Sequence, residues 1–93
     1  MENQHRKIRG YRELSQVEID LMNKIKALGP EIEAVLNEVA NHLNSQCELA
    51  DTDEDERDRL NDAAPYRWVA LASEHMQQGL MCLTRAVAQP TFF

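Results

Sequence analysis

Tyr11, Lys24, Lys26 and Arg67 are side chains whose types suit a small anionic ligand that carries bases. The Tyr11 ring follows Gly10 in a basic segment and offers a face for a nucleobase. Such a stack tolerates any base and is worth ~1–3 kcal/mol. Lys24 and Lys26 can bring mobile ammonium charges to phosphate. Arg67 offers a planar fork for phosphate oxygens, near a helix start whose backbone also favours anions. Taken alone, a tyrosine and two lysines a few turns apart also describe an ordinary solvated surface.

Other chemistries fit less well. Asp51, Asp53 and Asp55 match the first ligands of a calcium loop. Glu56 then stands where that loop needs Gly, and Asp62 where it needs a longer Glu. His5, His42 and His75 share no metal-ligand spacing with one another or with Cys47 and Cys82. No strained strand–helix turn presents a serine, and no Gly-rich loop follows a strand. The expectation is a protein without catalytic activity, metal or cofactor. Met22, Met76 and Met81 suit an adaptable groove, and equally the filling of a helical core.

The 93 residues carry a net charge of −6. That balance disfavours a DNA- or RNA-coating protein, which needs an extended basic face. It leaves room for one local basic pocket, because salt screens charges beyond about 10 Å. The charge is segregated. Arg6, Lys7, Arg9 and Arg12 face only Glu2 in the first twelve residues, whereas residues 48–62 are strongly acidic. The acidic run reads as a solvated connection. No apolar run matches a membrane span, and the first residues lack the apolar core of a signal peptide. The two cysteines, without CxxC spacing, suit a reducing cytoplasm.

Two long helices must position these side chains. The composition favours helix formers over β-branched and aromatic residues. Ser15 and Glu18 form a capping-box pair, and Met22, Ile25, Leu28, Ile32, Val35 and Val39 follow at helical spacing. Gly29-Pro30 interrupts that face without shifting its phase, which favours one kinked helix over residues 15–46 rather than two. Residues 47–64 form the acidic connection. Pro65 suits the first turn of a second helix over 65–89, with Trp68, Leu71, Ala72, Met76, Gly79, Leu80, Leu83 and Val87 on one face and Pro90 beyond its end. The expected fold is all-α: a hairpin of two long antiparallel helices with a short N-terminal segment.

A hairpin lets each helix cover one stripe of the other. Val17, Leu21, Leu36, Val69, Met81 and Phe92 are left over, and that much exposed apolar surface predicts a homo-oligomer. Gly79 would allow close approach of another backbone. The competing arrangement is a three-helix monomer that uses residues 1–13 as its third element.

Two long blocks add a resemblance. The first is Ile8-Arg9-Gly10-Tyr11-Arg12-Glu13-Leu14-Ser15-Gln16, continuing through Glu18-Ile19-Asp20, Met22-Asn23 and Ile25-Lys26. The second is Arg67-Trp68-Val69-Ala70, Gln77-Gln78-Gly79-Leu80-Met81 and Leu83-Thr84-Arg85-Ala86-Val87-Ala88-Gln89-Pro90. Together they resemble the phage anti-CBASS sponge family, whose helical-hairpin domain is shared with anti-Thoeris sponges. The resemblance spans nearly all of the chain except residues 44–64.

It implies a homohexamer in the host cell cytoplasm that sequesters cyclic dinucleotides, such as cyclic GMP-AMP, and cyclic trinucleotides of the triadenylate class. The ligands would sit in separate pockets between protomers and would not be cleaved, so that the CBASS effector is starved of its messenger. Tyr11 and Lys26 fall on the dinucleotide-pocket positions, as ring stack and phosphate partner. Arg67 falls on the trinucleotide-pocket arginine, with Lys24 and Leu28 at its neighbouring positions. A small residue and a hydroxyl residue would be expected there; Leu28 cannot donate to phosphate. The alternatives are a sponge for a cyclic ADP-ribose-type signal, and a helical adaptor that binds a host protein through its acidic run.

Overall fold

A computed structural model describes residues 12–92 of the chain. Among the described residues three helices follow in order: α1 over Gln16–Ala50, α2 over Glu54–Ala63 and α3 over Pro65–Ala88. The Ser15 Oγ accepts from the Glu18 N–H at 3.2 Å, and the Ser15 N–H donates to Glu18 Oε1 at 2.8 Å. The capping box therefore closes as its residue types require. Helix α1 runs through Pro30 without a break. Pro30 brings no N–H to the Lys26 carbonyl, but the apolar contacts on both sides keep the helix in phase.

The acidic connection is more ordered than its composition suggests. Helix α1 continues four residues beyond the expected end at residue 46, to Ala50, and the acidic run itself forms α2. The Asp53 side chain caps α2 by accepting from the Glu56 N–H at 3.2 Å. Glu54, Asp55 and Glu56 occupy the first turn. Carboxylates there complement the positive end of the helix dipole, so this clustering of acids promotes a helix start. Sequence periodicity missed α2 because its mostly polar ten residues carry little apolar signal.

Helices α1 and α3 pair antiparallel. The Tyr66 hydroxyl, at the start of α3, donates to Asn44 Oδ1 at 2.6 Å near the end of α1. At the other end Arg12 reaches the Val87 and Ala88 carbonyls. The pair is long and thin, with extents of 61 × 23 × 20 Å. Among the described residues only Leu43, Ala50 and Leu60 are buried apolar side chains, gathered where α2 folds against the end of α1.

The seam between the long helices differs from the expected face. On α1 it runs along Met22, Ile25, Gly29, Ile32, Leu36, Ala40 and Leu43, while Leu28, Val35 and Val39 are exposed. On α3, Val69, Ala72, Leu80, Thr84 and Val87 are half-buried, whereas Trp68, Met76 and Leu83 are exposed. Leu36 and Val69, expected to be left over, belong to the seam. Val17, Leu21, Met81 and Phe92 are exposed, as expected. Two neighbouring apolar faces on each helix had merged into one sequence stripe. Only one of them can meet the partner helix.

The second face is itself regular. Val17, Leu21, Leu28, Val35 and Val39 recur at steps of 4, 7, 7 and 4, close to whole turns of a helix. Val35 of this face and Met76 of α3 line one shallow groove with Glu31, Ile32 and Leu36. The exposed stripes of the two helices therefore lie on the same side of the hairpin. A Cβ on Gly79 would meet nothing within 4 Å among the described residues, so no close approach there uses its bare backbone.

Candidate functional site

Tyr11 lies outside the described residues. The remaining candidates are set by helix geometry. Lys24, Lys26 and Leu28 are all exposed on α1. Residues four apart share a face, while residues two apart point about 200° apart. Lys24 and Leu28 thus stand on the second apolar face, and Lys26 projects from the other side of the helix. Lys26 and the Lys24–Leu28 pair therefore lie on different sides of α1.

Arg67 occupies the first turn of α3, and its guanidinium carbon lies 4.9 Å from the centroid of the Trp68 ring. That contact orients a planar donor group at the mouth of a pocket lined by Cys47, Leu60, Asn61, Ala64, Pro65 and Tyr66 as well as Arg67 itself. The pocket forms because Ala64 ends α2 and begins α3 in one residue, with φ 49° and ψ 52°. Its N–H satisfies the Leu60 carbonyl at 2.9 Å, and its carbonyl accepts from Arg67 N–H at 3.1 Å. The neighbouring Cys47 thiol raises the Tyr66 phenol above its ordinary range.

One chain does not unite Arg67 with Lys24 and Leu28. The Tyr66–Asn44 bond places the start of α3 beside residue 44 of α1. Leu28 lies 16 residues earlier on α1, about 24 Å along its axis. A small ligand could touch all three only by drawing them from different copies of the chain.

At the opposite end stands a cluster that the sequence reading did not single out. Arg12 Nη1 donates to Glu18 Oε1 at 3.2 Å, and Nη2 closes on Glu18 Oε2. Nε donates to the Ala88 carbonyl at 3.0 Å and Nη2 to that of Val87 at 2.7 Å. The Arg12 hydrogen bonds, with those of Ser15, hold the Glu18 carboxyl down at about 2. Arg12 had no distinguishing signal: it stood among other basic residues, and its partners on α3 are main-chain carbonyls.

Among the described residues no three His, Cys, Asp or Glu side chains gather to hold a metal ion, and Cys47 and Cys82 are free thiols. No helix among them is long and apolar enough to cross a membrane.

Comparison with known proteins agrees with this architecture. The family described as "Acb2/Tad1, hairpin domain" matches residues 4–88. A protein of Pseudomonas phage JBD67, named Anti-CBASS protein 2, is 44% identical to the chain, with 97% of each covered. Coverage of that extent takes in both long helices, the acidic α2 and every candidate residue. On these grounds the chain belongs to the Acb2/Tad1 hairpin family.

Proposed function

We propose that the protein is a phage anti-defence sponge that binds cyclic di- and trinucleotide second messengers, holds them intact, and so withholds them from CBASS immunity in the infected cell. The observation that carries this reading is the near-full-length similarity to Anti-CBASS protein 2, on a hairpin whose second apolar face is exposed among the described residues.

The assembly follows from that face. A homo-oligomer, a hexamer by analogy with the family, would cover the exposed stripes of α1 and α3 with other copies. It would also bring Arg67 of one chain towards Lys24 and Leu28 of others, which a single hairpin cannot do. Tyr11 and Lys26 would form the dinucleotide site as base stack and phosphate partner. Arg67, oriented over Trp68, would grip trinucleotide phosphate. The placement of Lys26 on the opposite side of α1 from Lys24 and Leu28 supports two pockets rather than one. Closure between subunits would surround the ligand and remove it from water, the usual geometry of tight small-molecule sites.

The test is to incubate purified protein with cyclic di- and trinucleotides and a cyclic ADP-ribose-type ligand, remove unbound ligand, and denature the protein. Recovery of intact cyclic di- or trinucleotide is expected. Recovery of a linear product would identify an enzyme, and retention of the cyclic ADP-ribose-type ligand alone would identify a sponge for a different signal.

A further inference from the structure

Five arginines stand among the described residues, and four of them commit their side-chain donors within the chain. Arg12 bonds Glu18 and the end of α3. Arg57 donates to the Ala50 and Asp51 carbonyls, Arg59 to the Glu56 carboxylate and Arg85 to the Phe92 carbonyl. Arg67 differs. Its guanidinium makes no hydrogen bond or ion pair with a described residue, and what it touches is the Trp68 ring, 4.9 Å away at the centroid.

That difference decides what each arginine has left for a ligand. A carboxylate partner engages up to two of the five N–H donors and would itself repel an anion. An aromatic ring attracts the cation through its quadrupole, and this attraction does not need the N–H donors that grip phosphate. It also restrains a long side chain before binding, which lowers the ordering cost at the moment of binding. Trp68 is 58% exposed, so its indole stands in the open beside the pocket that Arg67 lines. No acidic residue stands in the first turn of α3 to compete for the charge.

We propose that Trp68 is a positioning residue for anion binding: its ring holds the Arg67 guanidinium, donors free, for the phosphates of a cyclic trinucleotide. This rests on the proposed function. Trp68 acts through Arg67, and what it supplies is a π face. Another aromatic ring therefore substitutes for it, and an aliphatic side chain does not.

The experiment compares Trp68→Phe and Trp68→Leu with the wild-type chain by calorimetry, using cyclic triadenylate and cyclic GMP-AMP. Trp68→Leu should weaken triadenylate binding ~5-fold or more, whereas Trp68→Phe should keep it within about threefold. Cyclic GMP-AMP affinity should stay within about twofold in both. In an Arg67→Ala background the added Trp68→Leu change should cost less than about twofold, the non-additivity of one residue working through another. Trp68 is the only tryptophan of the chain, so its emission gives a readout without mutation: triadenylate should change it and cyclic GMP-AMP should not. Equal losses in the Phe and Leu variants, equal losses for both ligands, full additivity, or an emission unmoved by triadenylate would overturn the positioning role. Wild-type protein that bound neither ligand would instead overturn the proposed function. The hold of the ring on Arg67 would then be judged in the free protein by 15N relaxation at Arg67 Nε. Mobility should rise in Trp68→Leu but not in Trp68→Phe, and equal mobility in all three proteins would refute it.

Discussion

Val35 of α1 and Met76 of α3 line the same shallow groove, and both are about half exposed although they are large apolar side chains on long helices. Their meeting shows that the second apolar stripes of the two helices form one surface. A charge introduced at Val35 would have to be buried without a partner wherever another copy covers that surface. Such a substitution forfeits apolar burial and adds a desolvation cost, together ~2–4 kcal/mol per interface. Val35→Glu should therefore shift the protein from oligomer to single chains in sedimentation experiments at micromolar concentration. An unchanged assembly would mean that the Val35–Met76 groove is not the contact between copies.

The two candidate pockets predict a selective pattern of losses. Tyr11→Ala removes the stacking face, worth ~1–3 kcal/mol, and Lys26→Ala removes the phosphate partner on the same ligand. Both should sharply reduce dinucleotide binding while the oligomer persists. Arg67→Ala removes the donor held over Trp68 and should weaken trinucleotide binding alone. Calorimetry on the three variants with both ligand classes decides the matter. If each variant impaired both ligands equally, the assignment to separate sites would fail.

Much of this arrangement was legible from residue types, and the illegible part has a physical explanation. Ser15 and Glu18 announced the start of α1 because a capping box needs only local chemistry. Pro65 marked the start of α3 for the same reason. The choice of face was harder. Leu28 and Gly29 are neighbours on α1, and so are Val35 and Leu36. Spacing cannot tell which of each pair meets the other helix when both stripes are apolar. The structure gives the seam to Gly29 and Leu36 and leaves Leu28 and Val35 outside. Arg12 was hidden for a different reason, since main-chain carbonyls 75 residues away leave no trace in a sequence pattern.

Ala64 carries a φ of 49° between α2 and α3, a left-handed conformation that costs an L-residue with a Cβ roughly 1–2 kcal/mol. Glycine adopts it without that penalty but loses more entropy on folding. Ala64→Gly should therefore stabilise the protein by a net ~0.5–1 kcal/mol. For a chain of this length that corresponds to a rise of ~2–8 °C in melting temperature. Thermal unfolding followed by circular dichroism measures this directly. A drop in melting temperature would show that the Ala64 methyl contributes more by packing over the Arg67 pocket than its backbone costs.

Glu18 sets the response to acid at its contact with Arg12. Its carboxyl titrates at about 2 in the folded chain, against an ordinary value of 4.5, chiefly because Arg12 hydrogen-bonds the ionised form. A depressed folded value means that the unfolded chain takes up the proton first as pH falls. The contribution of Glu18 is therefore fully present above about 4.5 and declines as pH falls towards 2. Glu18→Gln keeps a hydrogen-bonding side chain at that position and removes the titration. Urea unfolding across this pH window should show a shallower loss of stability in Glu18→Gln than in the wild type. The two curves should converge at the acid end, where Glu18 is protonated in both states. Parallel curves would mean that the Arg12–Glu18 pair is too solvated to couple to folding, since exposed ion pairs are often worth little.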